Sequence, residues 1–327
     1  MISFTSNSLN YETMPNYKQI NAENLLVEKA TPSLTIHYSF YDKHVMNVVD
    51  DDFVIEADNL EDMLKEMGTT TNARLAKINE FLDNQHLYKY IDIHNLAFWL
   101  KDKRLYWDRV SDSWEDPYEN YFLKEKFFLE DGTVFGADNN IPGVFGQSWT
   151  IQQETDAMWR IYSKEDKTGG VDNSRIFYGV RIETTARKLL DVVYVDDFSM
   201  ANLWVGIVQY MGEAEINETL KDGITNMNEA LAESFFNKRT EFDHEQEFRA
   251  MMLLDSKTIE QASNYKRIAF DIPNMDSFID SYVLDPRLSD ENFDALRSKL
   301  ILLGVKPEKI KQSSLYRFSP IDVKVLS

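Results

Sequence analysis

The chain has 327 residues, a hydrophobic content of 43% and a formal net charge of −20 at pH 7. The hydrophobic content excludes a disordered chain, and the length indicates one large or two modest domains. The negative charge repels nucleic-acid phosphates, which argues against direct nucleic-acid binding and leaves a DNA-mimicking inhibitor as a less common alternative.

The sequence contains no cysteine, which excludes disulfides, thiol nucleophiles and cysteine-ligated metal sites. Residues 1–18 are polar throughout, so we expect no secretory signal there. The longest apolar runs fall far short of the roughly 20 residues that cross a bilayer. We therefore expect a cytoplasmic protein without a membrane partner.

Residues 1–86 are predicted to form a separate N-terminal α+β region. Residues 33–40 and 45–55 are rich in β-branched and aromatic side chains, a composition typical of strands. Asn59 is predicted to start one helix with an apolar stripe, and Asn72 to cap a second.

Residues 87–327 are predicted to form the main domain, in which strands and helices do not alternate strictly. We therefore predict an α+β fold, with small mixed or antiparallel sheets and surrounding helices, rather than a doubly wound parallel sheet. The predicted strands cover residues 87–90, 105–107, 175–183, 191–195, 267–272 and 278–284. The predicted helices cover residues 94–103, a segment that contains Met158 and Trp159, and residues 203–211, 216–236 and 289–303.

The densest set of ionisable residues lies in Phe-Asp-His-Glu-Gln-Glu-Phe-Arg, residues 242–249. If this stretch is a strand, Glu245, Glu247 and Arg249 share one face, with the two carboxylates about 7 Å apart. Such groups are costly to bury unless they pair or serve a site. Glu247 is therefore the strongest single candidate for a catalytic residue.

Paired carboxylates at this spacing suit several kinds of chemistry. They serve as acid and nucleophile in glycoside hydrolysis, they bind the cation in metal-dependent hydrolysis, and they stabilise the reacting ribose in transfer from NAD. The structural alternative is an ion pair with Arg249. The sequence has no His-Glu-x-x-His spacing, no Gly-x-Ser-x-Gly elbow and neither of the common glycine-rich phosphate loops.

Four blocks of the chain, in their order and spacing, resemble the domain of unknown function 2971 family over about residues 87–315. That name implies no activity. The blocks are residues 87–90 with 105–107 and 114–119, residues 147–150 with 158–162, residues 242–249, and residues 283–286 with the helix that follows.

A second resemblance is to ADP-ribosyltransferases, which implies a similar fold and the use of NAD as a substrate. Tyr88-Lys89-Tyr90, Ser148-Trp149-Thr150 and Glu245-Gln246-Glu247 occur in the order of that family's three motifs. Lys89 stands where the family usually has Arg or His.

The second resemblance also implies a role for each matching residue. Glu247 is implied as the catalytic carboxylate and Glu245 as the group that positions the acceptor. The hydroxyls of Ser148 and Thr150 are implied to orient Glu247. The residues implied to contact NAD are Lys89 with Tyr88 or Tyr90, and Trp159 or Tyr162 stacked on the nicotinamide.

Our first hypothesis is an NAD-dependent mono-ADP-ribosyltransferase or NAD glycohydrolase that acts in conflict between bacteria and phages. Its partners are NAD and an unidentified acceptor or protein. One alternative is a non-enzymatic acidic binding protein, such as a defence sensor or an inhibitor of a nucleic-acid enzyme. The other is a hydrolase that combines carboxylates with a metal ion.

Overall fold

The structure is a computed structural model. It describes residues 2–4, 82–114, 116, 118–119, 126–128, 132, 134–136, 143–166, 176–193, 201–222, 234–254 and 266–317. The strands predicted at 33–40 and 45–55 and the helices predicted to start at Asn59 and Asn72 lie outside these residues.

The described residues divide into two compact units, each assembled from separate stretches of chain. The first unit takes its residues from Met1–Leu87, Arg104–Ile151 and Thr185–Pro273, and the second from Tyr88–Lys103, Gln152–Thr184 and Asn274–Ser327. The predicted division of the chain at residues 86 and 87 stays a prediction.

Short strands and short helices are interspersed along the described part of the chain. The strands are β1 (Ile2–Phe4), β2 (His86–Asp92), β3 (Arg104–Arg109), β4 (Lys126–Phe128), β5 (Val134–Gly136), β6 (Val144–Thr150), β7 (Glu165–Asp166), β8 (Ile176–Phe177), β9 (Gly179–Thr185), β10 (Ala201–Ile207), β11 (Gln209–Met211), β12 (Asn237–Arg239), β13 (Glu247–Leu254), β14 (Arg267–Asp271), β15 (Ser281–Leu284) and β16 (Ile310–Gln312). The α-helices are α1 (Ile93–Asp102), α2 (Val110–Ser113), α3 (Asp156–Tyr162), α4 (Ala186–Val193), α5 (Glu213–Asp222), α6 (Met275–Phe278) and α7 (Asp290–Leu302), and short 3₁₀ helices cover Thr240–Glu245 and Pro307–Lys309.

A mixed sheet forms the centre of the first unit, with the strand order β1-β14-β3-β6-β13-β10. β1 runs parallel to β14, and the other neighbouring strands in this order are antiparallel. Phe248 of β13, Trp149 of β6 and Ile207 of β10 lie side by side and are buried. With its helices, this arrangement confirms the predicted α+β fold.

The second unit contains β2, β9, β15 and β16 in that order, with β9 antiparallel to β15 and β15 parallel to β16. Its helices begin at capping side chains. The Asp92 carboxylate accepts a hydrogen bond from the His94 N–H at the start of α1, and the Ser289 hydroxyl accepts one from the Asn292 N–H in α7. α7 confirms the helix predicted over residues 289–303. None of the helices in the described ranges is long and apolar enough to cross a membrane.

Two predictions of secondary structure in the first unit are wrong. Residues 203–211 were expected to be helical, but they form the end of β10 and all of β11, since a short apolar run suits a buried strand as well as a helix. Residues 191–195 were expected to form a strand, but 191–193 end α4. The buried positions Ala186, Leu189, Leu190 and Val193 follow the helical period.

The helix predicted over residues 216–236 is described only in part. It begins at Glu213, where α5 starts, and α5 ends at Asp222. Residues 223–233 lie outside the described part of the chain.

Candidate active site

Glu247 opens β13, which lies between β6 and β10 in the sheet of the first unit. In the antiparallel register Glu247 is opposite Thr150, and Arg249 is opposite Ser148. Side chains at paired positions lie on the same face of a sheet. The register therefore places both hydroxyls next to the charged pair of β13, and their role in orienting Glu247 stays a prediction.

The Glu-Gln-Glu motif does not lie on one strand, which corrects the expectation of two carboxylates in period-2 alternation. Glu245 ends a 3₁₀ helix, and Gln246 adopts the left-handed conformation with φ of 42°. The Gln246 amide nitrogen Nε2 donates to the Asp243 carbonyl oxygen at 2.5 Å. The Glu247 backbone N–H donates to the Tyr210 hydroxyl oxygen at 2.8 Å, so the turn into β13 is held on both sides of Gln246.

A single ammonium group links three carboxylates at this turn. The Nζ atom of Lys238, in β12, lies 2.6 Å from Glu245 Oε2, 2.5 Å from Glu247 Oε1 and 3.1 Å from Glu119 Oε1. The turn therefore brings Glu245 and Glu247 together through a shared cation, although they do not share a strand face.

The guanidinium of Arg249 contacts two of the same three carboxylates, those of Glu247 and Glu119. Its Nε donates to Glu247 Oε2 at 2.7 Å, its Nη1 donates to the Phe235 carbonyl oxygen at 2.6 Å, and its Nη2 donates to Glu119. Its Cζ atom lies 4.0 Å from the centre of the Trp114 ring. Arg249 is 0% exposed. We call Glu119, Lys238, Glu245, Glu247 and Arg249 the carboxylate cluster.

The two glutamates of the motif have opposite pKa shifts. Burial alone would raise the pKa of Glu247, but Arg249 and Lys238 outweigh it and hold that pKa well below its ordinary value. Burial raises the pKa of Glu245 to about 7, and the hydrogen bond to Glu247 adds to this effect. Carboxyl groups whose pKa values are driven apart can take different roles, one ionised and one that exchanges a proton near neutral pH.

Solvent exposure separates the two glutamates in the same way. The side chain of Glu245 is 13% exposed, against 6% for Glu247. Glu245 is therefore the carboxyl of the motif that water or a ligand can reach first, and Glu247 is the fixed charge behind it.

The residues predicted to contact NAD belong to the second unit. Tyr88 and Tyr90 are buried and Lys89 is half-buried in β2. Burial raises the pKa of Tyr90 to about 12, so this phenol is neutral at physiological pH. The predicted catalytic residues belong to the first unit, so the predicted site divides into two groups of residues.

Trp159 and Tyr162 differ in their surroundings. Trp159 is fully buried, its ring packs edge-on against Tyr90 at 4.9 Å, and its Nε1 donates to Glu154 at 2.7 Å. Tyr162 is 41% exposed. Of the two rings proposed to stack on nicotinamide, Tyr162 is the one that a planar ligand can reach.

Sequence reasoning missed Lys238. Residues 114–119 were part of a resembling block, but the contacts of Trp114 and Glu119 with Arg249 were not predicted. The basic pair Lys238-Arg239, shortly before the Glu-Gln-Glu motif, was the signal that could have found Lys238. Because acidic residues outnumber basic ones in this chain, two adjacent basic residues beside an acidic motif suggest that they pair with its carboxylates.

In the ranges that the structure covers, no group of three or more acidic, histidine or cysteine side chains is arranged to hold a metal ion. The carboxylates of the cluster instead form ion pairs with Lys238 and Arg249.

The chain was also compared with known proteins. No family model matches it, so the resemblance to the domain of unknown function 2971 family stays a prediction. A search of curated proteins gives no match either. A solved structure to which the chain is similar is that of Thermus sp. 2.9 DarT in complex with NAD+, at 10% sequence identity and a TM-score of 0.32, with 70% of this chain and 95% of that chain covered. At this TM-score we draw no conclusion about activity from the likeness.

Proposed function

We propose that the protein is an NAD-dependent mono-ADP-ribosyltransferase or NAD glycohydrolase, with Glu247 as the carboxylate that stabilises the oxocarbenium-like ribose. The observation that supports this most is the pair of adjacent carboxyls with opposite pKa shifts. Glu247 stays ionised, and Glu245 exchanges a proton near neutral pH. A role in conflict between bacteria and phages is part of the same proposal.

The hydrogen bonds of Glu247 suggest how a ribose would bind. Its oxygens accept from Lys238 Nζ, from Arg249 Nε and Nη2, and from the carboxyl of Glu245. An ionised carboxylate has about four acceptor positions, so all are occupied. Glu245 is the only donor among these that is a neutral O–H group, and a ribose hydroxyl offers the same kind of donor. We infer that the substrate hydroxyl replaces Glu245 on Glu247.

The chemical step then follows from charge. The bond between ribose C1′ and the nicotinamide nitrogen breaks, its electron pair goes to the ring nitrogen, and neutral nicotinamide leaves. Positive charge develops on the ribose beside the ionised Glu247, where a fixed negative charge in a buried site is most effective. The displaced Glu245 carboxyl releases its proton to solvent, because its pKa is about 7. Water or an acceptor group then forms the new bond to C1′, and its proton passes to the Glu245 carboxylate.

The test is NAD consumption by the full chain, followed as nicotinamide release. We expect Glu247→Gln to lower the rate by about 100- to 1,000-fold, since one preorganised electrostatic contact is removed. Glu183→Gln is the matched control, because Glu183 accepts a hydrogen bond from Ser281 in the second unit and lies outside the carboxylate cluster. A wild type that neither releases nicotinamide nor transfers ADP-ribose to proteins of a cell extract would overturn the proposal.

A non-enzymatic acidic binding protein is the second candidate. The observation that favours it is that Glu119 and Glu247 are buried and both pair with the buried Arg249. Under this alternative Glu247 has only a structural role. Glu247→Gln would then lower the midpoint of thermal unfolding, and the binding of a stoichiometric partner by the folded variant would not change.

A further inference from the structure

Arg239, next to Lys238 in β12, is held in a fixed orientation by Asp116. Its Nε lies 3.2 Å from Asp116 Oδ2, and its Nη2 lies 3.0 Å from Asp116 Oδ1. The carboxylate is 2% exposed, whereas the Arg239 side chain is 28% exposed. A buried carboxylate therefore anchors a guanidinium that reaches the surface, and the two-point pair fixes its plane.

Two partly exposed aromatic rings border this guanidinium. The Cζ atom of Arg239 lies 5.0 Å from the centre of the Tyr118 ring and 5.4 Å from that of Phe242. These contacts further restrict the rotation of the side chain. A cation that is already ordered loses less conformational entropy when a ligand binds.

The pair with Asp116 uses only one edge of the guanidinium. Nε and Nη2 face Asp116, and within the described part of the chain no hydrogen bond from Nη1 is found. Arginine carries five N–H donors, so donors remain on the exposed edge. Planar donors of this kind suit phosphate oxygens.

The exposed edge lies close to the carboxylate cluster, because one ring separates the two cations. The Phe242 ring is 4.7 Å from Lys238 Nζ and 5.4 Å from Arg239 Cζ. Lys238 in turn contacts both Glu245 and Glu247. A ligand that lies along Phe242 can therefore place an anionic group on Arg239 and a neutral hydroxyl group at the carboxylates.

We propose that Arg239 binds the diphosphate of a nucleoside diphosphate, with Tyr118 and Phe242 forming the ring surface beside it. The inference rests on the proposed function and deepens it, since it adds a subsite for the diphosphate to the unit that contains Glu247. The chain has a net charge of −20, so an anionic ligand needs a local cation of this kind.

The experiment is equilibrium binding of ADP to the full chain by calorimetry, with ADP-ribose, inorganic pyrophosphate and nicotinamide as parallel probes. We expect Arg239→Ala to weaken ADP and ADP-ribose binding by about 10- to 100-fold, the usual effect of losing a hydrogen-bonded charge. Nicotinamide binding should not change. Pyrophosphate that binds as tightly as ADP would identify the diphosphate alone as the recognised group.

Arg267→Ala is the matched control. Arg267 also pairs with an aspartate, Asp108 at 2.6 Å, and lies over a ring, Tyr106 at 5.6 Å, in the same unit and outside the cluster, but its aspartate partner is 45% exposed. We expect this variant to bind ADP as the wild type does. If Arg239→Ala does not fold, Arg239→Lys decides the question, because it keeps the charge and loses the planar donors.

Three results would overturn the inference: a wild type that does not bind ADP, an Arg239 variant that binds it as tightly as the wild type, or equal weakening in Arg267→Ala. A failure of the proposed reaction would give a different result from these three. A wild type that binds ADP through Arg239 but releases no nicotinamide from NAD would refute the reaction and leave the diphosphate subsite standing.

Discussion

Each unit contains a buried acid paired with an arginine, but the two groups differ in their balance of charge. In the second unit Asp285 is 0% exposed and faces Arg287, whose Nε and Nη2 lie 2.9 and 2.6 Å from its oxygens. Arg287 Nη2 also donates to the Trp159 carbonyl oxygen at 3.0 Å. One acid meets one base, so the charges of the pair balance.

In the first unit the carboxylate cluster has three acids and two bases, so one negative charge lacks a partner. A buried surplus charge is costly, and the pKa of Glu245 therefore rises so that this group accepts a proton. The comparison indicates that burial favours an exchangeable proton where the surrounding charges are unbalanced, and a structural ion pair where they balance.

The largest expected effect is that of Arg249→Leu. Removing this guanidinium leaves Glu247 and Glu119 buried beside Lys238 alone, and breaking a buried pair costs about 3–5 kcal/mol. We expect that loss in the free energy of unfolding measured by urea denaturation. Arg249→Lys should lose less, because the charge remains. A loss below about 1 kcal/mol in Arg249→Leu would contradict the pairing in the cluster.

A smaller effect is expected for Arg287→Leu. Asp285 would lose its partner, but the Arg287 side chain is 18% exposed, so water can enter and limit the loss to about 2 kcal/mol. Nicotinamide release per folded molecule should match that of the wild type. Equal loss of NAD turnover in the Arg287 and Glu247 variants would remove the distinction between the two groups.

The pH dependence of stability tests the surplus charge directly. The pKa of Glu245 rises from 4.5 to about 7 in the folded chain, so its stabilising contribution is complete below pH 4.5 and is lost as pH rises through 7. Because Glu245 reaches water, we expect a change of only about 1 kcal/mol. Glu245→Gln should abolish it in urea denaturation measured from pH 5 to 8.

Glu247 acts in the opposite direction and at lower pH. Its pKa is lowered in the folded chain, so its contribution to stability is present above pH 4.5 and is lost on acidification below that value.

For Glu245, a wild-type stability that does not change between pH 5 and 8 would refute the assignment of the exchangeable proton to this residue.

The smallest effect is expected at the surface pair of α3. Arg160 Nε lies 2.6 Å from Asp156 Oδ2, but both side chains are largely exposed. We expect Arg160→Ala to leave the free energy of unfolding almost unchanged, since water screens exposed pairs. A loss as large as that of Arg287→Leu would show that pairing matters more than burial.

Local signals in the sequence were enough to predict several elements of the fold. Ser289 and Gly304 bound α7 as predicted, because a hydroxyl at the helix start and a residue tolerant of positive φ after its end act within a few residues. The apolar run at residues 203–211 was predicted wrongly. Its pairing with β13 depends on a strand more than 40 residues away, and a local pattern does not contain that information.

The candidate site was predictable to a similar extent. Glu245, Glu247 and Arg249 were found because strongly charged residues stood beside an apolar stretch. Glu119 and Lys238 were not predicted as their partners. Contacts between distant parts of a chain have no characteristic spacing in the sequence.

What the sequence determined by itself was the acidic motif, an α+β composition and a chain whose negative charge requires local cations to hold an anion. Only the tertiary structure decided that Gln246 turns the chain before β13 begins and that one lysine contacts three carboxylates. The physical reason is that a pKa depends on burial and on the charges that folding brings within a few ångströms. Residue identity sets only its starting value.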